Sequence, residues 1–216
     1  MIALRKVPCT SWLLVLPVVL VATASAQTLH DTGDEFVVRT EPVDLPMHQG
    51  VHGHEHMGVF PPVGTVTIPV SGYIHAFDYS VLNGAGEEIP RVTLHHFNVI
   101  DPAHRELFLP ISRRLLAAGQ ETGEQKLPWF VLGIPVTEGQ ELVVSAMLHN
   151  PTESAHHNVS LEIRMSYIPD GRPWPLFDVY PFQIDVAFPA GDKSFDLPAG
   201  KFSKSWEGSP GVAGRI

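Results

Sequence analysis

Short runs of apolar and β-branched residues recur along this chain, and clusters of Gly, Pro, Asn and Asp separate them. Alternation of apolar and polar positions is typical of strands that bury one face, and residues 72–82 and 159–167 both read as strands of this kind. About eight such runs predict an all-β fold, which we interpret as a jelly-roll-like antiparallel β-sandwich. The predicted sandwich domain covers residues 64–188.

One segment has a helical spacing instead. Between Arg105 and Ala118, the apolar residues Leu107, Phe108, Ile111, Leu115 and Leu116 have the spacing of one helical face. Asp101 is a suitable helix cap and Gly119 a natural stop. We therefore predict one short amphipathic helix, inserted into the sandwich and packed across the end of a sheet.

The first 26 residues have the three parts of a secretory signal peptide. Arg5 and Lys6 form a basic start, residues 12–22 form an apolar core, and Ala-Ser-Ala ends at Ala26. The apolar core is too short to span a bilayer comfortably. We expect export to the periplasm or the extracellular space, cleavage after Ala26, and no stable membrane insertion afterwards.

Loss of this leader changes the composition. It leaves 190 of the 216 residues and no cysteine, because Cys9 is the only one. A chain of this length can bury a core without disulfides. Since the leader holds Arg5, Lys6 and no acidic residue, 12 basic and 23 acidic residues remain, a net charge of −11. This charge excludes nucleic acid as a partner and favours cations.

All twelve histidines lie after the leader, and several fall in the predicted N-terminal segment, residues 27–63. Within it, Met47 and Met57 bracket His48, His52, His54 and His56. Imidazole and thioether groups are ligands for both oxidation states of copper, so this tract is a second metal candidate. A solvated polar loop is an equal alternative, since histidine-rich tracts bind metals readily.

The strand-like run 91–101 carries two adjacent histidines, His95 and His96, at its centre. Successive side chains leave a strand on opposite faces, so these two converge only if the strand is bulged or ends there. A third histidine, His149, follows the strand-like run 141–148. Three imidazoles suit copper or zinc, whereas the absence of cysteine excludes a blue-copper centre and a thiolate zinc site.

The segments Leu94-His-His-Phe97 and Met147-Leu-His-Asn150 resemble the copper type II ascorbate-dependent monooxygenases, the peptidylglycine and dopamine hydroxylase group. The resemblance covers about residues 65–168. It implies two jelly-roll domains in the family, with His95, His96 and His149 as ligands of the first-domain copper. It also implies a second domain with another copper. The tail, residues 189–216, resembles the start of that second domain. The family's first-domain disulfides have no counterpart here.

These observations predict an exported copper-binding domain for copper handling or electron transfer, with zinc as the alternative metal. We expect monooxygenase chemistry to need a second domain or a partner protein, and we predict no catalytic residue. The alternative is a metal-free extracytoplasmic interaction or accessory domain in which the histidines pack and hydrogen-bond. A third interpretation is a complete monooxygenase whose second domain is encoded further downstream.

Overall fold

The part of the chain that the structure describes forms two β-sheets. A computed structural model describes residues 27–47, 58–183, 198–203, 205 and 207–211. The strands are β1 Thr28–Asp31, β2 Glu35–Arg39, β3 Val43–Leu45, β4 Gly64–Thr67, β5 Gly72–Leu82, β6 Leu94–Arg105, β7 Ser112–Gly119, β8 Gln125–Lys126, β9 Leu132–Val136, β10 Glu141–Leu148, β11 His156–Pro169 and β12 Phe177–Asp178. A single 3-10 turn, Arg91–Thr93, is the one helical element of the described ranges.

The larger sheet has the strand order β1-β2-β11-β5-β9-β12, with β3 also paired to β11 and β8 to β5. The smaller sheet has the order β4-β10-β6-β7. Neighbouring strands are antiparallel apart from the short parallel pair β9 and β12. The predicted all-β sandwich is confirmed. Residues 28–45, which the sequence analysis assigned to the N-terminal segment, contribute β1, β2 and β3 to the larger sheet.

Alternating apolar residues from both sheets form the core. In β10, Leu142, Val144 and Leu148 are fully buried and Ala146 is nearly so, while the alternate residues Val143, Ser145 and Met147 are half-buried. Strand β11 follows the same rule, with Leu161 and Ile163 fully buried. Each such side chain contributes about 1.5–3 kcal/mol through removal from water. The alternation along these strands therefore determines which side chains of each sheet face the core and which face solvent.

The predicted helix over 105–118 is wrong, because this segment is a turn followed by strand β7. The register of β6 and β7 shifts where Val99 faces Leu116 and Ile100 faces Arg114, so Leu115 is an additional residue. This bulge buries the adjacent Leu115 and Leu116 together. Two neighbouring buried leucines break the strand alternation and give the helix-like spacing.

Two predicted regions lie wholly or largely outside the residues that the structure describes. The predicted signal peptide, residues 1–26, lies wholly outside the described residues, as does more than half of the predicted tail, residues 189–216. Within the ranges that are described, the structure has no helix with the length and apolar character needed to cross a membrane.

Candidate metal centre

A β-bulge turns the two adjacent histidines to the same side of the smaller sheet. Met147 lies opposite His96 and Leu148 lies opposite Leu94, so His95 is an additional residue in β6. A regular strand would direct one of the two imidazoles into the core. Here Leu94 is fully buried, whereas His95 and His96 are both exposed. The bulge thus meets the condition under which the sequence predicts convergence.

The two rings approach closely through the same type of nitrogen. The Nδ1 atoms of His95 and His96 are 2.9 Å apart, and the ring planes are at 78°. Without a metal, this distance is a hydrogen bond in which one ring donates and the other accepts. It is also close to the separation of two ligands about 2.0 Å from a shared metal ion at an angle of roughly 90°. The pair can therefore share either a proton or a cation.

His149 follows β10 and lies beside this pair. Its ring centroid is 5.6 Å from that of His95. The His149 backbone N–H donates to the carbonyl of Thr93 at 2.9 Å, and its ring Nε2 donates to the carbonyl of Val92 at 2.5 Å. A neutral ring that donates from Nε2 carries its lone pair on Nδ1. Histidine ligands of metals are usually held in this way, by a hydrogen bond from the other ring nitrogen.

Arg91 holds the 3-10 turn whose carbonyls orient His149. Its guanidinium donates to the carbonyl of Tyr79 at 2.6 Å and to that of Thr122 at 3.2 Å, and it pairs with the carboxylate of Asp78. The guanidinium carbon also lies 4.2 Å from the centre of the Tyr79 ring, a cation–π contact. Since Tyr79 is fully buried, these contacts fix the turn, including Val92, to the sandwich.

The three imidazoles converge without forming a closed set of ligands. Among the residues that the structure describes, no three His, Cys, Asp or Glu side chains already stand in positions that would hold one ion. His95 is the central ring, in contact with His96 on one side and His149 on the other. Binding of one metal by all three rings therefore requires rotation about side-chain bonds, and the exposure of His95 leaves room for it.

The surface beside the pair is a polar groove. Burial, and then the neighbouring His95 and the Arg114 guanidinium, lower the pKa of His96. The neutral imidazole is the form that binds metals. His95 and His96 form part of the wall of a groove of about 590 Å³, which Asn98, Arg114 and Glu121 also line. A metal at the histidines would thus be accessible from this groove.

The second predicted metal candidate lies almost entirely outside the description. Of its members, Met47 is described and is half-exposed; the others, His48, His52, His54, His56 and Met57, fall in the undescribed range 48–57. The described residues next to this range contact the end of β10: Asn150 donates to the carbonyl of Pro46, and Val59 pairs with Leu148. The metal-binding role of the tract stays a prediction.

The other histidine pair has protein partners of its own. His156 contacts the hydroxyl of Thr152 through Nε2 at 3.1 Å, and His157 lies 3.5 Å from the carboxylate of Asp44. These contacts belong to the edge of the larger sheet, where β3 pairs with β11. Of the predicted histidines, the structure therefore brings together His95, His96 and His149.

The groups that orient the site were not predicted from the sequence. The acceptor for His149 is a backbone carbonyl, which has no signature in the residue type of Val92. Glu121 lies 25 residues from His96 and reaches the groove through the β6–β7 pairing.

Comparison with protein-family models, with curated proteins and with solved structures gave no match.

Proposed function

We propose that this chain is an exported copper-binding β-sandwich protein that uses His95, His96 and His149 for copper handling or electron transfer. One observation carries the proposal: the bulge at His95 and the turn before it bring the three imidazoles side by side. Bulges are over-represented next to functional sites, where they redirect a side chain. The acidic composition of the chain adds attraction for a cation.

Copper is the metal that the donor set favours. Imidazole nitrogens suit copper and zinc, and no thiolate is present outside the predicted leader. Nitrogen donors bind Cu(II) more tightly than Zn(II), and the resemblance of the histidine segments to the copper monooxygenases favours the same metal. Zinc is the alternative metal.

The chain alone is proposed to bind and transfer copper or electrons, and not to hydroxylate a substrate. The resemblance to the ascorbate-dependent monooxygenases implies that oxygen and substrate bind at a copper in a second domain. Nothing in the groove beside His96 supplies that second site. Hydroxylation would need a further domain or a partner protein.

Copper titration tests the proposal directly. Affinities for Cu(II) and Cu(I) are measured by competition with chelators, in a background where His48, His52, His54 and His56 are replaced by Ser. His95→Ala and His149→Ala should each weaken binding at least about tenfold. His30→Ala is the matched control, because His30 is an exposed strand histidine of the larger sheet. Equal affinity in all four proteins would refute the site.

A metal-free accessory domain is the second candidate, and an aromatic surface favours it. Trp129, Phe130, Trp174 and Phe177 are each 40% exposed or more, and the rings of Trp129 and Trp174 lie 6.4 Å apart. Exposed aromatic groups of this size are typical of interaction surfaces. Under this alternative, the His95–His96 contact is a hydrogen bond only, and copper titration gives no stoichiometric binding to the background protein.

A further inference from the structure

Glycine at position 119 leaves a space beside the histidine pair. Gly119 is the direct cross-strand partner of His96. Its neighbour Ala118 is buried and Ala117 is exposed, so by strand alternation a side chain at 119 would point outward, to the face that carries His96. Directly opposed residues have their Cβ atoms about 4.5–5.5 Å apart. Whatever fills this space lies next to the His96 side chain.

The carboxylate of Glu121 fills it. A Cβ added to Gly119 would lie 2.7 Å from Glu121 Oε2 and 2.8 Å from Oε1, closer than atoms can pack. The tight turn after β7 sets this position: Thr122 N–H donates to the carbonyl of Gly119 at 3.0 Å, and Gly119 N–H donates to the Thr122 hydroxyl at 3.1 Å. The turn thus folds Glu121 back over the end of its own strand.

A buried phenol contacts the same glycine. The hydroxyl of Tyr79 donates to the carbonyl of Gly119 at 2.9 Å. Burial raises the pKa of Tyr79, the Arg91 guanidinium opposes this, and the charges of Asp78 and Glu121 add to the increase. Glu121 has no hydrogen bond or ion pair with another residue of the described ranges, and it shares the groove with His95 and His96.

We propose that Glu121 is a fourth ligand of the three-histidine site, an oxygen donor for Cu(II). This inference rests on the proposed copper site. A carboxylate is a hard, anionic donor, so it stabilises the divalent ion more than Cu(I). Its charge also offsets that of Arg114, which lines the same groove. Glu121 therefore biases the site toward Cu(II), while the imidazoles hold both oxidation states.

Met147 is the other side chain that flanks His96, and its packing differs. It lies opposite His96 on β10. Its thioether packs over Gly58, where an added Cβ would be 2.0 Å from the Met147 methyl carbon and 3.1 Å from its sulfur. Because Gly58 lies on the far side of β10 from β6, this side chain leans away from the histidines. Glu121 is thus the flanking donor on their side.

The test compares Glu121→Gln with Glu124→Gln in the background lacking the His48–His56 imidazoles. Glu124 is a matched control because it belongs to the same turn region and pairs with Lys126. Glu121→Gln should weaken Cu(II) binding about tenfold or more and leave Cu(I) affinity unchanged. It should also shift the parallel hyperfine coupling in the Cu(II) EPR spectrum. Gly119→Ala, which displaces the carboxylate, should shift both in the same direction.

The outcomes separate this inference from the site itself. If His95→Ala abolishes copper binding while Glu121→Gln matches Glu124→Gln in Cu(II) affinity and EPR spectrum, the carboxylate ligand is refuted and the histidine site stands. If His95→Ala and His149→Ala leave copper binding unchanged, both fail. Equal losses of Cu(II) and Cu(I) affinity in Glu121→Gln would also overturn the oxidation-state preference. Thermal unfolding of each variant verifies that the fold is retained.

Discussion

The ring of His149 donates from Nε2 to the backbone carbonyl of Val92, three residues before His95. One short turn therefore leads into the strand that carries two imidazoles and orients the third. The His149 backbone N–H donates to the next carbonyl of the same turn, that of Thr93. The distance between His149 and the pair is thus set by main-chain geometry, and the rigidity of this turn becomes a property of the site.

Arg91→Ala should weaken copper binding without removing a ligand. The change deletes the guanidinium bonds to the carbonyls of Tyr79 and Thr122 and the pairing with Asp78. We expect a loss of about 1–3 kcal/mol in the free energy of unfolding, and copper affinity about tenfold lower because the support of His149 is lost. Urea unfolding and chelator competition measure the two effects.

Arg39→Ala is the control for this change. Arg39 also pairs with a carboxylate, that of Glu162, but on the larger sheet. It should leave copper affinity unchanged. An Arg91→Ala protein that binds copper as tightly as the unmodified chain would mean that the turn does not position His149.

Alternation predicted much of the fold. Residues 72–82 were predicted as a strand and have those bounds in the structure, although the pairing of β5 with β11 contains a bulge. At two bulges of the smaller sheet, alternation failed in opposite ways. At Leu115 it gave a false helix, since two adjacent buried leucines fit a helical face. At His95 it raised the correct question, because two adjacent imidazoles fit neither face of a regular strand.

The parts of the site that the sequence did not reveal come from pairing between distant residues. Gly119 faces His96, and Glu121 lines the same groove, only because β7 pairs with β6 in a register that contains a second bulge. Such registers depend on turn geometry and on the packing of both sheets, and a single sequence does not display them. Residue type indicated the three imidazoles of the proposed site, whereas their surroundings required the three-dimensional structure.

Glu106→Gln should make the protein less stable and less sensitive to acid. The buried Glu106 carboxylate accepts the N–H groups of Phe108, Leu109 and Gln183 at 2.7–3.0 Å. Burial acts to raise its pKa, but these backbone hydrogen bonds outweigh burial and lower it. A lowered pKa in the folded state contributes stability above the unfolded pKa of about 4.3, which is lost as pH falls through the folded value.

The glutamine amide directs two hydrogens toward groups that also donate, so we expect a loss of about 1–3 kcal/mol at pH 7. Below pH 4 the variant and the unmodified protein should approach each other in stability. Urea unfolding at pH 7, 5 and 3.5 measures this convergence. The exposed Glu138→Gln is the control. A difference that stays constant over the whole range would contradict an ionised Glu106.

Gly58→Ala should destabilise the end of β10. An added Cβ would lie 2.0 Å from the methyl carbon of Met147 and 2.8 Å from its Cγ, so the thioether must move. Overpacking of this kind costs about 1–3 kcal/mol. Gly123→Ala is the matched control, because a Cβ there meets nothing within 4 Å. In a Met147→Ala background, Gly58→Ala should lower the free energy of unfolding by less than it does in the unmodified protein. An equal loss in both backgrounds would show that the clash with Met147 is not the cause.

Deletion of His95 should remove the metal site and keep the fold. His95 is the additional residue of the bulge, so its deletion makes Leu94 and His96 neighbours in sequence. Their partners on β10, Leu148 and Met147, are already neighbours, so both pairs can form in a regular ladder. Alternation then keeps Leu94 in the core and His96 on the surface without a shift elsewhere in the ladder. We expect a retained β-type circular dichroism spectrum, cooperative urea unfolding, and copper binding weakened at least about tenfold.

Deletion of Asn98 is the contrasting change. Asn98 pairs regularly with Ser145, so its removal shifts one side of β6 by one residue and turns Val99, which is fully buried, toward solvent. Loss of such core side chains costs about 2–5 kcal/mol each, so this protein should unfold at much lower urea or fail to fold. If the His95 deletion behaved in the same way, the bulge would be a requirement of the fold. If it folded and bound copper as before, the bulge would not serve the metal.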